Sequence, residues 1–460
     1  MKKIIAGLIV LAVVQLHAQV RNPRYDTAGI YPAGNIHAAD PRGDSLAAFY
    51  SHKAAALMDR DTALGDFYRI DNTGVYMFAG AGMKAQNVPE YFIAWNELDI
   101  FRNIVSQNSH DDAMCILLAK GDRPFSKDVA YKYGKKKSPP LHFFMQEKPL
   151  NGFRFAIDPG HFASDSATAH IEDKYLDFYE NVPGADSVRI FFWESMLTWQ
   201  TAVLLAQKLR DAGAEVMMTR QSYGLTAMGK TFQQWKQDDY PRCLDSLLAL
   251  DPTNKNLRAL KSGKKKDDRS IFRFVFRDVE LKKRADLINA FHPDLTVVIH
   301  YNVDNENKDW KKPTDKDFCM TFVGGSFERG ELDDPGKRFD FLRLLLTDDI
   351  PQSISACGIA AKQFSEDLDV PLAKSSDASY LQKDCIYAGE PGVFCRNLAL
   401  TRMITGPVIY GETLYEDNVK EAFLLNQTPS PAIRNDLEET RVEEVADAYF
   451  RAVCNWAKLH

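Results

Sequence analysis

The chain has 460 residues, too many for one average domain, and 45% of them are hydrophobic while 26% are charged. That balance buries a substantial core and is ordinary for a globular protein. The formal net charge of −6 leaves no basic surplus to release counterions, which argues against a nucleic-acid partner.

The N-terminus carries the first pattern. Lys2 and Lys3 precede an apolar run from Ile4 to Val14, and Leu16, His17 and small Ala18 follow. This reads as a signal peptide over residues 1–18, too short to span a bilayer comfortably. No cysteine follows the run, and no other stretch is long and apolar enough for a membrane. The expected product is exported, periplasmic or extracellular, without a transmembrane anchor. Export permits disulfides, but the seven cysteines are odd in number and show no CxxC spacing. Cys385 and Cys395 are the closest pair, and no connectivity follows from the spacing.

Residues 19–150 read as a small accessory domain of unassigned role. Segments 67–79 and 91–96 look like strands, the first broken by an Asp71-Asn72-Thr73-Gly74 turn. Residues 132–150, with Lys135-Lys136-Lys137 and Pro139-Pro140, read as a linker. No catalytic constellation occurs there.

From 151 onward strands and helices alternate. Phe153–Asp158 reads as a strand. Met196, Trp199, Val203, Ala206 and Leu209 mark a helix over 194–211, which Gly213 ends, and Ala214–Thr219 is the next strand. Leu281, Ala285, Ile288 and Phe291 mark a second helix, broken by His292-Pro293-Asp294 ahead of the apolar strand Leu295–His300. Residues 397–404 look helical, Pro407–Gly411 is a short strand, and 438–459 is an amphipathic helix. The expectation is an α/β fold, three layers of α/β/α with a mainly parallel sheet. Segments near 162–193, 221–280 and 326–349 interrupt the alternation and read as insertions, the kind of loops that shape a cleft.

Open α/β sheets deliver functional groups at the carboxyl ends of their strands. His161 follows the first strand, His300 ends the apolar one, and Glu412 follows 407–411. Glu194 opens a helix, where the dipole favours a carboxylate. Two histidines and a carboxylate are a common ligand set for catalytic zinc, and a second carboxylate can accept a proton from water. HExxH is absent, so the groups must converge from distant parts of the chain.

The same residues carry a resemblance. Ile157-Asp158-Pro159-Gly160-His161, then Glu194 opening a helix that leads to Thr219-Arg220, then Arg284-Ala285 and Asn289 before Val298-Ile299-His300-Tyr301-Asn302, and finally Pro407 to Glu412 stand in this order. Residues 151–460 thus resemble the zinc-dependent N-acetylmuramoyl-L-alanine amidases. The resemblance implies zinc held by His161, Glu194 and His300, with Glu412 as the catalytic carboxylate and Arg396 in at most a supporting role. It implies cleavage of the amide between N-acetylmuramic acid and L-alanine, with peptidoglycan or muropeptides as partners and an unidentified regulatory protein as a further one. Arg220 and Asn289 are expected to be structural. Phe162 and Val298 stand where the family usually has Gly and Ser. Two other readings stay open: a zinc hydrolase of the same fold acting on another amide, and a non-catalytic wall-binding protein.

Overall fold

The structure, a computed structural model, describes residues 40–60, 64–134, 148–180, 187–307, 312–427 and 440–460. The expected signal peptide and most of the expected linker lie outside these residues. Two compact units form. One comprises Met1–Pro140, Ala249–Asp251 and Gly325–Thr347; the other comprises Leu141–Leu248, Pro252–Gly324 and Asp348–His460.

In the first unit β1 (Tyr68–Asp71), β2 (Gly74–Met77) and β3 (Tyr91–Ala94) form an antiparallel sheet. The turn between β1 and β2 is the Asp-Asn-Thr-Gly stretch, where Asp71 accepts the Thr73 N–H at 2.9 Å. Of the segment 326–349, read from the sequence as an insertion, residues 326–347 belong to this unit. Its helix Pro335–Leu346 buries nearly its whole surface, from Phe339 and Phe341 through Leu346. The last carbonyls of that helix have no partners within it. Lys53, itself buried, donates to Leu344 O, Leu345 O and Thr347 O at 2.7–2.9 Å. A cation at a helix C-terminus is also favoured by the dipole. A second polar contact holds the same helix: His110 Nε2 lies 2.7 Å from Asp340 Oδ1.

In the second unit the strands are β4 (Arg154–Pro159), β5 (Tyr175–Glu180), β6 (Val188–Trp193), β7 (Glu215–Met218), β8 (Leu295–Asn302), β9 (Met320–Val323), β10 (Cys385–Tyr387), β11 (Val393–Arg396) and β12 (Val408–Tyr415). All but β5 and β6 form one sheet in the order β10-β11-β9-β12-β8-β4-β7. β7, β4, β8 and β12 run parallel; β9 and β11 turn back, parallel to each other. The sheet is mainly parallel and the fold is three-layered. Alternate residues explain the layers. Phe155, Ile157, Val297, Ile299 and Ile409 face the helices Glu194–Asp211, Asp349–Leu368 and Arg441–Ala457. Ala156, Val298, Val408 and Tyr410 face the helices Arg277–Phe291 and Ala399–Met403. With both faces covered, strands such as Leu295–Ile299 are apolar apart from the buried Thr296.

Segment 221–280, read from the sequence as an insertion, has its own core. It folds into short helices with a core of Phe232, Trp235, Leu244, Leu257, Leu260, Ile271, Val275 and Phe276. Phe162 completes that core, its ring centroid 4.9 Å from Phe276. All seven cysteines are free thiols. Among the described residues, no helix is long and apolar enough to cross a membrane.

The His110–Asp340 contact makes the first unit pH-sensitive. Burial opposes the charge on His110, but hydrogen bonds to Asp111 and Asp340 outweigh it and raise the imidazole above its usual value. Burial likewise opposes ionisation of Asp340, and His110 overrides it to hold that carboxyl low. A raised histidine contributes stability that is complete below its unfolded value of about 6.5 and is lost as pH climbs through the folded one. Protection of the amides in helix His110–Lys120, corrected for intrinsic exchange rates, should therefore fall between pH 6 and pH 9. His110→Ala should lower protection by about 3 kcal/mol at pH 6 and remove the pH dependence; an unchanged pH response in that variant would refute this.

Candidate metal centre

The turn that ends β4 places the first histidine. His161 adopts φ 59°, a left-handed conformation that costs a non-glycine residue about 1–2 kcal/mol. The surroundings hold it there. Buried Arg284 donates to Pro159 O at 2.9 Å and His161 O at 2.8 Å, and pairs with Asp158 at 3.2 Å. Thr198 donates to Gly160 O at 2.7 Å, and the Gly160 N–H reaches Ile299 O at 2.9 Å. Glycine at 160 is a steric requirement, because a Cβ there would lie 2.3 Å from the His300 ring.

His161, Glu194 and His300 converge on one point, each offering a donor atom within 4.8 Å of the others. His161 Nε2 lies 3.0 Å from Glu194 Oε2, and His300 Nδ1 lies 2.9 Å from Glu194 Oε1. The imidazole planes cross at 83° with centroids 5.0 Å apart. Glu194 is wholly buried at the first position of its helix. Burial favours its neutral acid, yet His161 and Lys174 hold it well below the usual carboxylate range. Its Oε2 is buried without an aligned hydrogen bond. Two imidazole nitrogens and a buried carboxylate suit a divalent cation such as zinc.

The strand ends differ from the expectation. β8 continues through Asn302 and β12 through Tyr415, so His300 and Glu412 lie inside strands, not at or beyond their ends. Pairing resumes between Tyr415 and Asn302 after an irregularity between Glu412 and Tyr415. Glu412 is paired in register with His300 on one side and Met320 on the other. It is therefore beside the histidine, buried, and pushed up to about 8 by that burial and then by Glu194. Tyr410 stacks flat against His300 at 4.8 Å and 6°. Arg396 lies over the rings of Phe322 and Tyr380 at 4.9 and 4.8 Å, and its field acts on Glu412. Arg220 donates to Pro159 O at 3.2 Å and Gly160 O at 3.4 Å. Asn289 bridges Met403 O and the Thr405 N–H, each at 2.8 Å, ahead of β12.

Sequence reasoning missed three groups. Glu172 ends the helix Ser166–Glu172, accepts the N–H groups of Phe162 and Ala163 at 3.0 and 2.7 Å, and lies 3.3 Å from His161 Nδ1. A carboxylate on the outer nitrogen of a ligand histidine fixes its tautomer and orientation. Lys174 Nζ lies 3.2 Å from Glu194 Oε2. Glu416, just past β12, is completely buried, and burial raises it well above the ordinary carboxylate range. The first two belong to segment 162–193, which carries no periodic signal.

No protein-family model and no curated protein sequence matches the chain. Among solved structures, the apo form of the N-acetylmuramyl-L-alanine amidase Ami1 from Mycobacterium abscessus is 14% identical, with 67% of this chain and 99% of that one covered and a TM-score of 0.34. The CwlD amidase from Clostridioides difficile, in complex with the GerS lipoprotein, is 14% identical over 67% of this chain and 100% of that one, with a TM-score of 0.35. The catalytic domain of CwlV, an N-acetylmuramoyl-L-alanine amidase from Bacillus (Paenibacillus) polymyxa var. colistinus, gives 14%, 67%, 99% and 0.34. The chemistry of the centre is read from its own atoms.

Two substitutions test this geometry. Gly160→Ala should displace the His300 ring and weaken zinc retention at least about tenfold, read by metal analysis after dialysis; full zinc content would show that the ring has room to move. Asn289→Ala strands a backbone N–H and a carbonyl and should cost about 1–3 kcal/mol of stability. Normal melting with lost turnover would mean that Asn289 acts in the chemistry.

Proposed function

We propose that the second unit is a zinc-dependent hydrolase that cleaves the amide between N-acetylmuramic acid and L-alanine of peptidoglycan stem peptides. The observation that carries the hydrolase reading is the convergence of His161, Glu194 and His300 beside a separate buried carboxyl, Glu412. The substrate rests on the ordered motifs from Asp158 to Glu412. An exported product, as the N-terminal residues imply, would meet that substrate in the cell envelope.

His161, Glu194 and His300 would hold the zinc. When bound, zinc supplies polarisation of the scissile carbonyl and acidification of a water. The chain does the rest. Glu172 orients His161, and the stacked Tyr410 ring orients His300. Glu412 takes the proton of the attacking water and passes it to the leaving amine, so the amide and water become a carboxylic acid and an amine. A carboxyl raised by burial is suited to both halves of that transfer. Arg396 contributes a field at Glu412 and no proton.

Purified peptidoglycan fragments incubated with the protein should gain free stem peptides by mass spectrometry, and chelator should stop the release. Glu412→Gln keeps size but accepts no proton. It should retain zinc and lose about 10²–10⁴-fold in turnover. Near-normal turnover would refute the proton-transfer role; loss of the metal would make Glu412 a ligand. His161→Ala should lose the zinc outright.

A further inference from the structure

Lys174 is an unexpected group at a cation site. Its ammonium stands 3.2 Å from the Glu194 oxygen that His161 also approaches, at 3.0 Å. A divalent cation held by Glu194 would meet that ammonium at close range, where like charges repel strongly. The lysine must then move, and its four-carbon stem lets it. Where it would go is also built in. Glu416 follows β12, with its N–H bonded to Asn302 O at 2.8 Å, so it sits at the same end of the sheet as His300 and Glu412. Both its carboxylate oxygens are buried without a hydrogen-bond partner. Its field and that of Glu412 already act on Lys174. A buried carboxyl with nothing to bind is costly unless another state satisfies it.

We propose that Lys174 is a positioning residue that occupies Glu194 until a divalent cation arrives, and that Glu416 then receives its ammonium. The proposal rests on the reading of His161, Glu194 and His300 as cation ligands and adds an internal competitor to them. The lysine keeps a buried carboxylate paired while the site is empty, and it weakens metal affinity in exchange. Glu416 limits that weakening by giving the displaced charge a partner.

The test is zinc affinity, measured by competition with a chromophoric chelator on the full chain. Lys174→Met should tighten zinc binding about tenfold or more. Glu416→Gln should weaken it about tenfold, because the ammonium then stays on Glu194. The double variant decides between routes: if Glu416 acts through Lys174, its substitution should change affinity less than about twofold once Lys174 is gone. Equal weakening in both backgrounds would reduce Glu416 to a general negative field and overturn the proposal, as would unchanged or weaker binding in Lys174→Met. Should the methionine variant fail to fold, Lys174→Gln, which keeps a donor for Glu194 without the charge, serves the same arm. If the wild type binds no more zinc than His161→Ala does, the ligand reading fails and takes this one with it. If only the order among the Lys174 and Glu416 variants fails, the ligand reading stands.

Discussion

Arg284 holds together the turn that brings His161 to the candidate centre. Its guanidinium is buried between Asp158 and Glu280 and spends its remaining donors on Pro159 O and His161 O. Removing such a charge from water is expensive and is offset only where every donor is met. Here the donors are met by the turn that carries His161, so the ion pair and the histidine geometry are one interaction. Glu280 extends it by accepting the Ala227 N–H at 3.0 Å, which ties the start of the helical insertion to the same guanidinium. Arg220 works beside it at a disadvantage. Burial and then the charge of Arg284 pull its guanidinium down to about 10, so it serves the turn mainly as a weaker second donor.

Four carboxyls crowd the candidate centre. Glu172, Glu194, Glu412 and Glu416 are all buried, and Lys174 pairs with Glu194 among them. Buried carboxylates that share a site cannot all ionise without compensation. The molecule splits them. Glu172 and Glu194 are held low by His161, whereas Glu412 and Glu416 are driven up by burial and by Glu194. Pushing like groups apart in this way separates those that would bind a cation from one that would carry a proton. A cation on Glu194 would offset the charge that helps to raise Glu412, so Glu412 and the candidate ligands are coupled through that single carboxylate.

His161, Glu194, His300 and Glu412 were legible because each stands where a periodic pattern starts or stops. Glu172 and Lys174 were not. They lie in a segment without periodicity and reach the centre only because β5 and β6 pair as a hairpin that returns the chain to Glu194. Glu416 was hidden by a strand that runs longer than its apolar core. Helix Asp349–Leu368, which buries Ile350, Ala356, Ala360, Phe364 and Leu368, was not read from the sequence. Helix Pro335–Leu346 was missed as well. It is buried nearly all round, and Arg338, Asp340 and Arg343 are interior residues with partners, so its charges read as surface while lying inside.

Phe162 ties the His161 turn to the helices from Phe232 to Phe276. A glycine would suffice to leave the His161 turn. The phenylalanine instead points away from the centre and fills the core of the helices from Phe232 to Phe276. Close-packed interiors transmit displacement between neighbours. His161 is one peptide from that core, and its outer nitrogen is held by Glu172, which also accepts the Phe162 N–H. The helical insertion is thus coupled to the candidate centre through the backbone at 161–162. Any influence it has on the chemistry need not come from covering the cleft: a shift of Phe162 would tilt the first histidine directly.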